Sequence, residues 1–74
     1  MNKQALILFA HGARAASWAE PFQRLQQLIQ EHSPELKVEL AFLELMQPPL
    51  PEVVNNLVDQ GYEALTITPI FLGQ

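Results

Sequence analysis

The run Ala5-Leu6-Ile7-Leu8-Phe9-Ala10 constrains this chain more than any other feature. Six apolar residues without alternation make a strand whose two faces must both be covered. A parallel sheet with helices on either side meets that demand. A second segment, 36–45, is also nearly two-sided, since Val38, Leu40, Phe42 and Leu45 are apolar and so are Ala41 and Leu43. Ala64-Leu65-Thr66-Ile67-Thr68 opens a third strand, expected over 63–70. Pro69 lacks a donor, so regular pairing is expected to fail there.

The segments between these strands have helical spacing. Trp18, Phe22, Leu25, Ile29 and His32 recur at intervals of four and three, one stripe of a helix over 18–32. Ser17 and Glu20 fit a capping box. Pro21 is best tolerated in the first turn, so a start at Pro21, with 17–20 as a turn, stands beside the first choice. Ser33-Pro34 ends the helix. Gln47-Pro48-Pro49-Leu50-Pro51 is a rigid connector. Leu50, Val53, Val54, Leu57 and Val58 mark a second helix over 50–60, with Pro51 at its start and Gly61 as its C-cap.

The order is β-α-β-α-β, with strands over about 4–10, 36–45 and 63–70. Residues 1–74 form one α/β domain, a parallel three-layer unit of flavodoxin-like order. With the first strand in the middle, the two helices go to opposite faces, and neither face of the apolar sheet is bare. The third strand is then an open apolar edge. Further chain, or a second copy that completes the sheet, is therefore expected.

Composition narrows the function classes. A chain of 74 residues buries only about 60% of the surface its unfolded form exposes. There is no cysteine, which removes disulfides, thiolate metal sites and cysteine nucleophiles together. The net charge is −4, and Lys3, Arg14, Arg24 and Lys37 are scattered, so no nucleic-acid partner is expected. Ala5 to Ala10 is too short to span a membrane and poorly built as a signal peptide, which leaves a cytoplasmic protein with no membrane partner. Walker, Gly-x-Gly-x-x-Gly and Gly-x-Ser-x-Gly motifs are all missing, against nucleotide binding and serine hydrolysis.

Ligands of open parallel sheets bind beyond the carboxyl ends of the strands, near the point where strand order reverses. His11 follows the first strand, Glu44 closes the second, and Gly73-Gln74 follows the third. His11 is a metal ligand or general base, or a histidine that only caps its strand. Gly12 lets the backbone turn and leaves room beside the imidazole. Glu44 stands in the apolar run Phe42-Leu43-Glu44-Leu45-Met46, where a carboxylate is costly unless paired or facing a cleft or water. It is a base or metal ligand, or a solvated strand end. Arg14 has a substrate carboxylate or phosphate as one partner and plain solvent as the other. His32 suits a structural role near its helix C-terminus, and Met46 that of filler.

These residues carry a resemblance. An apolar strand leading into His11-Gly12-Ala13-Arg14 resembles the His-Gly-Ser-Arg opening of the class II chelatases. Val38-Glu39-Leu40-Ala41-Phe42-Leu43-Glu44-Leu45, then Pro48-Pro49-Leu50-Pro51, is similar to their second strand and Pro-rich turn. Thr68-Pro69-Ile70-Phe71-Leu72 resembles their third strand and exit. The likeness covers essentially the whole chain and is strongest to the small sirohydrochlorin cobaltochelatase group, with the ferrochelatase of sirohaem synthesis next. It implies ATP-independent insertion of a divalent metal, cobalt first and iron or nickel as alternatives, into a tetrapyrrole of cobalamin or sirohaem biosynthesis. It implies His11 and Glu44 as metal ligands and proton acceptors, and Gly12 and Arg14 at the substrate. It also implies a homodimer. Family members continue with a Gly-Gly-His segment whose histidine completes the metal site. This sequence reaches Gly73-Gln74 just before it, so a partner chain or a C-terminal half is expected to supply that histidine. A non-catalytic metal- or tetrapyrrole-binding module and an inactive structural fragment are the alternatives to an enzyme.

Overall fold

The computed structural model describes residues 3–70. Strand β1 (Gln4–Ala10) leads through a 3-10 turn (Ala16–Ala19) into helix α1 (Glu20–His32). Strand β2 (Lys37–Phe42), helix α2 (Leu50–Asp59) and strand β3 (Ala64–Ile70) follow. The sheet is parallel in the order β2-β1-β3, an α/β fold with the apolar first strand in the middle.

Both faces of β1 are covered, as its unbroken apolar run requires. On one face Leu8 and Ala10 pack with Val38, Leu40 and Phe42 beneath Ala19 and Phe22. On the other, Ala5, Ile7 and Ala41 pack beneath Val53 and Leu57. Ile7 and Leu57 are the largest fully buried side chains. Helices on opposite faces follow from right-handed crossovers that run in opposite directions across the sheet, from β1 out to β2 and then from β2 back past β1 to β3.

Several local expectations need correction. β2 ends at Phe42, not at 45, because the next residues turn back on themselves. The helix over 18–32 is a 3-10 turn followed by α1 from Glu20, with Pro21 in the first turn. No side chain caps α1, so the Ser17–Glu20 capping box does not form. Leu25 and His32 lie on the exposed side of α1, while Gln26 and Gln30 turn toward β2. Pairing of β3 runs through Pro69, opposite Phe9, to Ile70, opposite Ala10. An edge strand accepts a proline because the missing donor can face the open side.

Helix α2 ends as the glycine signals. Gly61 has φ +92°, its N–H donates to the Val58 carbonyl, and the Tyr62 N–H donates to the Leu57 carbonyl. This doubly bonded ending needs a left-handed residue just past the helix. It sends the chain straight into β3.

Candidate active site at the ends of β1 and β2

The site forms where β1 and β2 stop being a regular ladder. The Leu43 N–H donates to the Ala10 carbonyl at 2.9 Å and the Glu44 N–H to the His11 carbonyl at 3.0 Å. Successive carbonyls of a regular strand point to opposite sides. Here two in succession reach the same segment, so the regular pleat is lost and the two segments cross.

The crossing depends on Gly12. Its φ is +103°, and a Cβ placed there would lie 1.8 Å from the Glu44 carbonyl oxygen. Any side chain at 12 would drive the two segments apart. The same Glu44 carbonyl accepts from the Met46 N–H at 2.8 Å, and Leu45 between them has φ +67°. A three-residue turn with a left-handed centre is the rare, strained sense of the γ-turn. The loop closes at its base where the Phe42 N–H donates to the Pro48 carbonyl at 3.0 Å. The proline-rich connector thus ties the neck of a loop whose tip holds Glu44 against β1.

His11 and Glu44 meet across this crossing, with Nε2 and Oε2 3.0 Å apart. The side chains are 54% and 56% exposed. A surface pair of this kind contributes about 0–1 kcal/mol to stability, so folding alone does not account for it. Chemically the pair can share a proton. It can also hold a metal ion, because two donors about 2.1 Å from one ion and at right angles lie about 3.0 Å apart. Among the described residues no third His, Cys, Asp or Glu joins them.

The remaining candidates are placed as follows. Gly12 is half-buried against Glu44. Arg14 is exposed in the loop after His11, and among the described residues no ion pair holds it. Met46 is half-buried and packs on the α1-side core, a filler role. Gly73 and Gln74 lie outside the described residues. Sequence reading missed the turn at Leu45, because a glycine or asparagine is the usual signal for φ > 0 and neither is present. The turn read at Gly12 is there, with φ +103°, but the space beside its Cα is filled by the Glu44 backbone, which local sequence does not signal.

Known proteins are similar to this chain in sequence and fold. The CbiX family model matches residues 5–74. A sirohydrochlorin cobaltochelatase of Methanocaldococcus jannaschii is 29% identical over 69 residues, covering 93% of this chain and 48% of that protein. The sirohydrochlorin cobaltochelatase of Methanopyrus kandleri is 26% identical over 68 residues, 92% of this chain and 48% of the relative. The chain therefore spans about half the length of the curated relatives it matches. A crystal structure of a CbiX protein from Marinobacter aquaeolei superimposes with a TM-score of 0.78 at 35% identity, over 96% of this chain and 57% of that one. With the family match running almost from end to end and the fold shared at that identity, this chain belongs to the CbiX family.

Proposed function

We propose that this chain takes part in inserting a divalent metal, cobalt first, into sirohydrochlorin, with His11 and Glu44 as the reacting pair. The observation that carries the reading is the 3.0 Å approach of His11 Nε2 to Glu44 Oε2 on exposed surface at the carboxyl end of the sheet. The relatives named sirohydrochlorin cobaltochelatase support the substrate and the metal.

The chemistry asks for two functions in one place. As the metal enters the macrocycle, two pyrrole N–H bonds break and two protons leave for bases or water. His11 binds the incoming ion through imidazole nitrogen, a donor that suits cobalt, nickel or iron better than magnesium. Glu44 serves as second ligand and as the acceptor that carries protons away. Each proton-transfer role is worth typically 100- to 10,000-fold in rate. Gly12 holds the crossing that brings the pair together. Arg14, three residues beyond His11, meets a peripheral carboxylate of the substrate. No nucleotide has a part in the step.

Action as a homodimer, or beside a C-terminal half, in the cytoplasm belongs to the same proposal. The open β3 edge supports it, since another strand there would complete the sheet. No helix among the described residues is long and apolar enough to cross a membrane.

The test is cobalt insertion into sirohydrochlorin followed by absorbance, for the wild-type chain and for His11→Ala and Glu44→Gln. The rate is expected to fall by at least about 100-fold in His11→Ala, with the fold retained by circular dichroism. Wild-type turnover no faster than cobalt alone would refute catalysis by this polypeptide. Tight cobalt or sirohydrochlorin binding without turnover would identify a binding module instead.

A further inference from the structure

Leu43 and Leu45 stand on either side of Glu44 and are 55% and 57% exposed. Leu45 occupies the strained centre of the turn, where a residue without a Cβ would turn at no steric cost. Its side chain adds nothing to either core cluster. Among the described residues the other large exposed apolar side chains are Leu25 and Leu28 on α1, Val58 on α2 and Ile67 on β3, none of them at this end of the sheet beside Glu44. At the ends of β1 and β2, two exposed leucines bracket the carboxylate that meets His11.

We propose that Leu43 and Leu45 form an apolar seat for one face of the macrocycle, beside the His11–Glu44 pair. The proposal rests on the chelatase reading of that pair and deepens it. A conjugated macrocycle is flat, with apolar faces and polar groups at its rim. A metal enters such a ring through a face, so a face must be turned toward His11. Leucines flanking Glu44 hold the ring in that orientation and leave its rim carboxylates to water and to Arg14. A polar residue at these positions would be solvated and would offer the ring no reason to lie down. Leu45 has a left-handed backbone and is 57% exposed, so one seat residue stands in the solvent before any ligand arrives.

The experiment is an absorbance titration of metal-free sirohydrochlorin, with cobalt omitted, against wild type, Leu43→Ser, Leu45→Ser and the double variant. Leu28→Ser is the control, an equally exposed leucine on α1. Affinity is expected to fall about tenfold in the double variant, because serine offers the ring far less apolar surface to cover than leucine does. It should be unchanged in Leu28→Ser and largely retained in Leu45→Met, a conservative replacement in the wild-type background. In cobalt insertion the double variant should show a raised KM with kcat retained. Equal affinity of wild type and double variant would overturn the seat while leaving the chelatase reading intact. Failure of the wild type to bind sirohydrochlorin would overturn both. A sedimentation coefficient that drops in the double variant, with affinity unchanged, would assign the leucines to an interface between copies and overturn the seat.

Discussion

The two sides of β1 are built to different standards. On the β2 side the pairing outlives the strands, continuing through Ala10–Leu43 and His11–Glu44 into the site. The outer edge of β2 is then closed by α1. Gln30 Oε1 accepts from the Val38 N–H at 3.0 Å, Gln26 Nε2 donates to the Val38 carbonyl at 2.9 Å, and Gln30 Nε2 also donates to the Leu36 carbonyl. Val38 is buried, so its two edge groups would otherwise be costly. On the β3 side the described pairing runs to Ile70, and among the described residues no side chain bonds to the backbone of β3. Ile67 there is 44% exposed. One edge is finished by the chain's own glutamines, and the other is left ready for another strand. The candidate pair His11–Glu44 sits on the finished side, where geometry is over-determined.

The contrast can be broken most severely at Gly12. Gly12→Ala puts a Cβ into the Glu44 carbonyl and should cost about 2–4 kcal/mol, from overpacking and the left-handed backbone together. Displacing Glu44 from His11 by about an ångström should also slow metal insertion about 100-fold. Urea unfolding and the absorbance assay read the two effects. Near-wild-type stability and rate would mean that the two segments part without consequence.

A smaller loss is expected at the closed edge. Gln30→Leu keeps the size of the side chain but leaves the Val38 N–H unpaired, at about 1–3 kcal/mol. Amide exchange at Val38 should quicken in step. Unchanged exchange would show that water replaces the glutamine at no cost.

The open edge should respond least. Ile67→Lys is expected to move the unfolding free energy by no more than about 0.5 kcal/mol, as for an exposed position. A loss well above that, growing with protein concentration, would reveal β3 paired between copies in solution. This measurement sharpens the contrast, because it asks whether the second edge stays open.

Much of the fold was legible in the chain. Ala5 to Ala10 demanded two covered faces, which set β1 in the middle and the helices on either side. Gly61 announced the end of α2 and Pro21 a first turn. His11 and Glu44 were legible as candidates because the carboxyl ends of parallel strands are where backbone ladders stop and side chains become free to act. The capping box failed because Ser17 lies in the 3-10 turn, two residues before the position that caps α1.

What the chain determined by itself is what hydrophobic pattern and backbone-restricted residues decide, namely the order of elements, the central strand and the chemical groups at its exit. Only the tertiary structure decided that His11 and Glu44 meet, that Gly12 is the contact point between their segments, and that β2 stops at Phe42. The reason is that those outcomes rest on pairing between residues 33 positions apart. Phe42-Leu43-Glu44-Leu45 reads as continuing strand locally, and it turns because the crossing with His11 and the tie to Pro48 stabilise the loop more than the strained Leu45 backbone costs.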